Sequence, residues 1–180
     1  MNFDLTENQK LIQDMMRKFA KEELEPKAGE IDKSGEFPVE NIKKLAELGI
    51  MGMVVPEEYG GAGFDFVSLA IAIEEISKAC GSTGVITAVN NSLVCYPILA
   101  FGTEEQKKKY LPKLATGQII GAFALTEPNA GSDPASLETT ARLDGDYYIL
   151  NGTKRFITSA GQAGVFIVMA TVDKTKGNKG

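Results

Sequence analysis

The spacing of apolar positions changes near residue 117 of this 180-residue chain. Before that point apolar residues recur every three or four positions, as in Leu11, Ile12, Met15 and Met16, which is typical of a helix with one buried face. After it, short apolar runs are separated by turn signals, which is typical of strands. Helical patterns grouped before strand patterns predict an α+β fold, since an alternating order would indicate a parallel sheet.

The predicted helices have clear boundaries. Asp65 is placed to cap one helix, and Pro38 suits the first turn of another. The segment from about 83 to 101 is almost uncharged, so we expect a buried helix that Pro97 kinks or divides. Residues 49–64 are glycine-rich and form a loop whose order the sequence leaves open. Two further helices open with the spacing of a capping box, in Thr6 with Gln9 and in Thr103 with Gln106.

Strand patterns fill the remainder of the chain. Asp144-Gly145 is a strong hairpin signal and Asn151-Gly152 is another turn. We therefore predict an all-helical domain over residues 1–117 and a partial antiparallel β domain over residues 118–180. The predicted strands are residues 119–126, 138–143, 147–150, 154–158 and 165–172.

The end of the first predicted strand is a candidate binding site. Pro128 and Gly131 stop the strand, because proline cannot donate to a sheet and glycine adopts backbone angles that other residues avoid. The loop that follows presents backbone N–H groups together with the side chains of Thr126, Ser132 and Asp133 at one end of the sheet. Such a place can hold a flat, polyanionic cofactor through main-chain hydrogen bonds.

Composition narrows the classes of function. The net charge is −5 and no basic stripe is evident, which argues against nucleic acid as a partner. The chain has no histidine, so Ser–His, Cys–His and His–metal chemistry are excluded within it. Cys80 and Cys95 lie in apolar helical patterns without a metal-like spacing, so we expect small buried apolar residues and no metal site.

The start of the chain has neither a basic flank nor a long apolar run, so a signal peptide is not expected. No apolar stretch of the sequence reaches the length that a membrane-spanning helix needs. These features predict a cytoplasmic protein.

One stretch resembles a known family specifically. The first signature of the acyl-CoA dehydrogenases is filled at every defining position, by Leu125, Thr126, Glu127, Ala130, Gly131, Ser132 and Asp133. Residues 54–61, 101–112 and 151–158 also resemble segments of that family, so the likeness covers essentially the whole chain. The resemblance implies the N-terminal helical domain and part of the middle β domain, while the family's C-terminal helical domain is absent from these 180 residues.

The resemblance also implies an activity. Members of the family use FAD to oxidise the Cα–Cβ bond of an acyl-CoA thioester to the trans-2-enoyl product. The likeness is to short-chain, butyryl-CoA-type bacterial members of fatty acid metabolism. It implies an electron-transferring flavoprotein as electron acceptor and a homo-oligomer, a tetramer in the full-length form. The family's glutamate base lies beyond residue 180, so no catalytic residue is expected here and the 180-residue chain should be inactive alone. Glu127 should make structural hydrogen bonds in the signature turn.

Carried over position by position, the resemblance implies contacts to the flavin. Thr126 would place its hydroxyl and backbone N–H at N1 and O2, where negative charge grows on reduction. Ser132 would meet both the pyrophosphate and the acyl-CoA. Phe156 would lie against the isoalloxazine, where many relatives have tryptophan. The implied cofactor contacts are Phe123, Leu125, Thr126, Gly131, Ser132, Phe156, Ile157 and Thr158.

The acyl pocket is expected to end at the buried helix. Tyr96 and Cys95 precede Pro97 in that helix. The resemblance implies that both contact the substrate, and the size of Tyr96 would shorten the pocket.

Three alternatives stay open. An enoyl-CoA reductase and an acyl-CoA oxidase would share the same site and differ in direction or in oxygen access. A non-catalytic fragment would pack with a partner chain and bind no flavin itself.

Overall fold

Helices occupy the first part of the chain and strands the second. The computed structural model describes residues 4–180. Residues 1–3, which belong to the predicted helical domain, lie outside the described residues. The last long helix ends at Ala115 and the first strand begins at Ile120. The predicted order, a helical domain followed by a small sheet domain, is confirmed.

Seven α-helices form the described helical part, and their starts follow the predicted caps. Thr6 and Thr103 each form a capping box, and Asp65 accepts a hydrogen bond from the Ser68 N–H at 2.8 Å. Pro38 is the residue immediately before its helix. The helices are α1 Glu7–Phe19, α2 Glu25–Ser34, α3 Val39–Glu47, α4 Phe66–Ala79, α5 Gly81–Ala88, α6 Tyr96–Phe101 and α7 Glu104–Ala115.

Two π-helical segments precede prolines. Ala20–Leu24 lies just before Pro26, and Val89–Cys95 lies just before Pro97. Proline has no N–H and its ring clashes with the carbonyl four residues earlier, and a wider turn accommodates both features. The Tyr96 N–H accordingly donates to the carbonyl five residues earlier. The helix therefore continues through Pro97, and the predicted division of the helix does not occur.

The resulting helical path, Gly81–Phe101, has 21 residues. Its length and apolar composition would suffice to cross a membrane, which corrects the expectation that no window is long enough. Half of its most apolar window is buried inside the fold, as in the core helix of a globular domain. Val94 and Cys95 are fully buried, whereas Tyr96 on another face is exposed.

The glycine-rich segment is ordered. Met51 and Met53 within it are fully buried. A Cβ on Gly52 would lie 2.4 Å from Ala115 Cβ, so only glycine admits this close approach of α7. The segment contains the 3-10 turns Ile50–Gly52 and Glu57–Tyr59.

A buried asparagine joins the long helix to the first strand. Asn90 Nδ2 donates to the Met51 carbonyl at 2.8 Å, and its Oδ1 accepts from the Gly121 N–H at 3.0 Å. A Cβ on Gly121 would lie 2.3 Å from Val94, so glycine is required where the strand meets the helix. These contacts fix the first strand against the helical domain.

The strands form two pairs of opposite kind. β2 Thr140–Asp144 and β3 Tyr147–Asn151 make the predicted antiparallel hairpin, with Gly145 in its turn at a φ of 60°. β1 Ile120–Ala124 pairs in parallel with β4 Ala163–Val168, which corrects the purely antiparallel domain of the prediction. Parallel pairing needs a long connection, and the loop, the hairpin and the segment after it supply one.

Residues 154–158 are not a strand, although the sequence predicts one. Phe156 has a φ of 56° and Ser159 has a φ of 65°, which are left-handed values incompatible with a strand. The last predicted strand is also shorter than expected, since its regular pairing ends at Val168 and not at residue 172.

Candidate functional site

Two stretches of chain meet at the end of β1. We name residues 125–133 the signature loop and residues 154–159 the second segment. The Arg155 N–H of the second segment donates to the Thr126 carbonyl of the signature loop at 2.8 Å. The two stretches, which the hairpin separates in sequence, are therefore adjacent in space.

A buried ion pair adds a side-chain connection. Lys154 Nζ donates to Glu127 Oε1 at 2.7 Å and to the Leu125 carbonyl at 2.9 Å. The Lys154 and Glu127 side chains are 12% and 2% exposed. Glu127 also accepts hydrogen bonds from the N–H groups of Glu138 and Thr139, just before β2. The structural hydrogen bonds expected of Glu127 are present, and they join three parts of the chain.

The surroundings of Glu127 keep its carboxyl group charged. Burial would raise the pKa of this group, but hydrogen bonds from the Lys154 side chain and from the backbone N–H groups of Glu138 and Thr139 outweigh burial. They lower the pKa from 4.5 to about 2. A general base needs a pKa near the working pH and a lone pair that faces the substrate. Glu127 is therefore a structural anion.

The signature loop closes on itself and leaves two N–H groups open. Glu127 and Ala130 exchange backbone hydrogen bonds of 2.9 and 3.3 Å, which form a tight turn. Gly131 and Ser132 are exposed, and within residues 4–180 neither N–H has a protein acceptor. Adjacent free donors suit an anion such as phosphate. The Asp133 side chain, which the sequence places among the ligand-facing groups, instead caps the short 3-10 turn that follows.

The second segment contains strained backbone. The left-handed φ values of Phe156 and Ser159 cost free energy that glycine would avoid. Phe156 is 80% exposed, and the Arg155 guanidinium carbon lies 4.7 Å from its ring centroid. Ser159 Oγ is buried without a protein partner in the described structure. A strained backbone beside an unsatisfied buried hydroxyl indicates a functional role for this segment.

Hydroxyl groups of both stretches are available to a ligand. Thr126 is half-buried, and neither its N–H nor its hydroxyl has a partner among the described residues. Ile157 and Thr158 are also half-buried. Thr158 lines a shallow cleft of about 410 Å³ together with Val85 and Ile86 of α5. This part of the site therefore lies where the second segment faces the helical domain.

Phe123 and Leu125 are placed differently from the threonines. Phe123 lines an apolar cleft of about 580 Å³ with Phe101 and Tyr110 of the helical part. Leu125 is half-buried, and it is its carbonyl that contacts Lys154. The structure therefore places the Phe123 side chain on a separate cleft from Thr158.

The two predicted substrate residues face different surroundings. Tyr96 is 43% exposed and contacts Phe66 edge-on, with ring centroids 5.2 Å apart. Cys95 is fully buried in the core, and burial raises the pKa of its thiol to about 12. Of the pair, only Tyr96 is open to a ligand in this chain. Cys80 and Cys95 are both free and buried, as predicted.

Two residues that organise the site, Lys154 and Asn90, are not among the site residues expected from the sequence. Lys154 falls in a stretch predicted as a strand, and Asn90 falls in the almost uncharged helix. Each offers a signal, because a charged or amide side chain in an apolar environment needs a partner. The sequence does not identify the partner, since the Lys154–Glu127 and Asn90–Gly121 contacts span 27 and 31 residues.

The helical domain, the small sheet domain and the polar loop at their junction define the class of protein. The family model described as acyl-CoA dehydrogenase, N-terminal domain, matches residues 6–118. The model described as acyl-CoA dehydrogenase, middle domain, matches residues 122–180. The chain belongs to the acyl-CoA dehydrogenase family of oxidoreductases, and the resemblance seen in its sequence is confirmed.

The chain is similar to short-chain members and to a reductase. The short-chain specific acyl-CoA dehydrogenase of Clostridium acetobutylicum is 52% identical over 180 residues, which cover 100% of this chain and 48% of that protein. The 3-(aryl)acrylate reductase of Clostridium sporogenes is 50% identical over 175 residues, which cover 97% of this chain and 46% of that protein. The chain thus spans about half the length of the curated relatives it matches.

Solved structures share the fold. Butyryl-CoA dehydrogenase from Megasphaera elsdenii gives a TM-score of 0.93 at 41% identity and covers 100% of this chain and 48% of its own. A chain from the structure described as electron transferring flavoprotein of Acidaminococcus fermentans gives 0.93 at 48% identity, with 98% and 47% covered. Glutaryl-CoA dehydrogenase from Mycobacterium smegmatis in complex with FADH2 gives 0.88 at 38% identity, with 93% and 43% covered.

Proposed function

We propose that the chain is part of a FAD-dependent enzyme that converts short-chain acyl-CoA thioesters to trans-2-enoyl-CoA and passes electrons to an electron-transferring flavoprotein. The observation that carries the proposal is the 2.8 Å hydrogen bond from the Arg155 N–H to the Thr126 carbonyl, which holds the signature loop beside the second segment. The short-chain and butyryl-CoA relatives support the substrate class. The relative solved with FADH2 supports the cofactor.

The free polar groups of the site fit such a cofactor. The N–H groups of Gly131 and Ser132 would hold the pyrophosphate, and Ser132 would also touch the acyl-CoA. Thr126 would donate from its hydroxyl and N–H to the pyrimidine edge, while Thr158 would bond near N5 and O4 with Ile157 beside it. FAD, when bound, supplies the acceptor for the hydride that leaves the β carbon. The residues of this chain would bind the cofactor and the acyl-CoA and hold them in position.

Phe156 would pack against the isoalloxazine. Its ring is mostly exposed and Arg155 lies over it, so apolar surface remains for a flat ligand. Phenylalanine retains the apolar face of the tryptophan found in many relatives but lacks the indole N–H. We therefore expect retained binding with an altered reduction potential.

We propose that these 180 residues alone do not turn over substrate. The chain has no histidine, and Glu127 is occupied by Lys154 and by two backbone N–H groups. No base from this signature therefore faces a substrate. Dehydrogenation of butyryl-CoA with an artificial electron acceptor should be undetectable for this polypeptide. Measured turnover would contradict the proposal.

Binding of FAD tests the cofactor assignment directly. Titration with the chain should change the visible spectrum of FAD. Thr126→Val should weaken binding about fivefold, because valine keeps the shape of threonine and removes a hydrogen bond of about 1 kcal/mol. Thr153→Val is the matched control, since Thr153 is exposed just before the second segment. A spectrum that never changes would argue against flavin binding by this chain and favour a fragment that packs with a partner chain.

A reductase that runs in the opposite direction is the second candidate. The 3-(aryl)acrylate reductase among the relatives supports it. The same binding contacts serve both directions, so a full-length enzyme must be assayed with saturated and with unsaturated substrate. Faster turnover of the unsaturated substrate would favour the reductase, and rapid reoxidation by oxygen would favour an oxidase.

We further propose a cytoplasmic homo-oligomer, a tetramer in the full-length form, that binds the flavoprotein partner. The related chain in the Acidaminococcus fermentans structure supports that partner. Light scattering of a full-length protein that reports a monomer would contradict the tetramer. Recovery of the protein in a membrane or secreted fraction would contradict the compartment.

The two domains are proposed to meet near Gly117, as residues 1–117 and 118–180. Gly117 has a left-handed φ of 67°, and a Cβ there would lie 2.5 Å from Ala46 Cβ, so this position between the last helix and the first strand requires glycine. Hydrogen exchange that gives different opening free energies on the two sides of Gly117 would support the division. One common value would contradict it.

A further inference from the structure

We infer that Lys154 is a positioning residue that fixes the second segment against the signature loop. The inference rests on the proposed function, because these two stretches would hold the flavin between them. Lys154 Nζ reaches both the Glu127 carboxylate and the Leu125 carbonyl, at 2.7 and 2.9 Å. Its neighbour Arg155 reaches Thr126 through the backbone. Consecutive residues of one stretch are thus bonded to consecutive residues of the other.

The position of Lys154 in the chain explains its reach. Phe156 follows two residues later and Thr158 four residues later, on a segment without regular secondary structure. In the described structure no ladder holds these residues, so their placement depends on the bonds that Lys154 and Arg155 make. Lys154 therefore acts on the flavin contacts through position and not through a contact of its own.

Burial makes the Glu127–Lys154 pair consequential. Removing one partner of a buried pair leaves an uncompensated charge away from water, which is much more disruptive than loss of an exposed pair. The chain offers an internal comparison in α3. Lys43 Nζ lies 2.9 Å from Glu40 Oε1, but the two side chains are 64% and 69% exposed. Lys43→Met is therefore a matched control for Lys154→Met.

The experiment combines two readouts on the purified chain. The first is hydrogen exchange of the Arg155 amide, which reports the bond to Thr126 without any flavin. Lys154→Met and Glu127→Gln should each accelerate this exchange at least about tenfold, whereas Lys43→Met should leave it unchanged. The second is titration with FAD. The same two variants should weaken binding and change the fine structure of the visible band, and Lys154→Arg, which keeps the charge, should recover part of both effects.

The outcomes separate this inference from the proposed function. An Arg155 amide that exchanges as in the wild type in Lys154→Met would overturn the positioning role. The positioning role would also be overturned if Lys154→Met bound FAD with the same affinity and the same visible spectrum as the wild type. If the wild type itself binds no FAD, the flavin assignment of this chain fails, and the exchange readout still decides the role of Lys154. If Lys154→Met does not fold, Glu127→Gln provides the same test, because it removes the charge and keeps the shape.

Discussion

Replacing Glu127 with glutamine should destabilise the fold by an amount that depends on pH. The pKa of Glu127 is lowered from 4.5 to about 2 by the Lys154 side chain and the N–H groups around it, against the opposing effect of burial. Each pKa unit corresponds to about 1.4 kcal/mol, so the native surroundings of the carboxylate contribute about 3 kcal/mol to the free energy of unfolding at neutral pH.

The sign of the pH dependence follows from the lowered pKa. Above about pH 4.5 the carboxyl group is ionised in the folded and the unfolded chain, and the full contribution is present. As the pH falls from about 4.5 towards 2, the unfolded chain takes up the proton first, and the contribution is lost. Glutamine does not titrate. The difference in unfolding free energy between the wild type and Glu127→Gln should therefore shrink as the solution becomes more acidic.

Urea unfolding at a series of pH values between neutral and about pH 3 measures this difference. Glu40→Gln is the control, because Glu40 pairs with Lys43 at a similar distance while being 69% exposed. That variant should show a difference near zero throughout, since water and salt screen exposed pairs. A difference for Glu127→Gln that stays constant across the acid range would refute the assignment of a charged, hydrogen-bonded carboxylate.

Three further predictions, the first with its own control substitution, test other parts of the structure. Gly52→Ala should lower the free energy of unfolding by about 1 to 3 kcal/mol in urea, since its Cβ would lie 2.4 Å from that of Ala115. Gly29→Ala, in open space within α2, should raise it by up to about 1 kcal/mol, and equal effects would refute the packing argument. Phe156→Trp should shift the reduction potential of bound FAD with little change in affinity, and an unchanged potential would place this ring away from the flavin. Tyr96→Gly in a full-length enzyme should raise kcat/KM for longer acyl-CoAs relative to butyryl-CoA, and an unchanged chain-length profile would remove Tyr96 from the pocket.

Local features of the fold could be predicted from the sequence because their causes are local. The Thr6 and Thr103 capping boxes and the Asp65 cap each depend on residues three positions apart. The hairpin depends on one turn, in which Gly145 supplies the left-handed backbone. The order of helical and strand periods then predicts the class of fold without any knowledge of contacts.

The remaining features depend on contacts between distant residues. The parallel pairing of β1 with β4 is set by a connection that includes the hairpin, and the strand patterns alone do not distinguish it from an antiparallel pair. Phe156 has strand propensity, but the bonds made by Lys154 and Arg155 hold it in a left-handed conformation. Tertiary contacts therefore override the strand propensity of Phe156.

The site is therefore assembled from two independent anchors. Asn90 of the long helix binds the Gly121 N–H and fixes β1, so the helical domain sets the position of the signature loop. Lys154 binds Glu127 and fixes the second segment to that loop, while Glu127 also holds the residues before the hairpin. Loss of Asn90 would move both stretches together relative to the helices. Loss of Lys154 would separate the stretches from each other. Only the loss of Lys154 should therefore accelerate hydrogen exchange of the Arg155 amide while the amides of β1 stay protected.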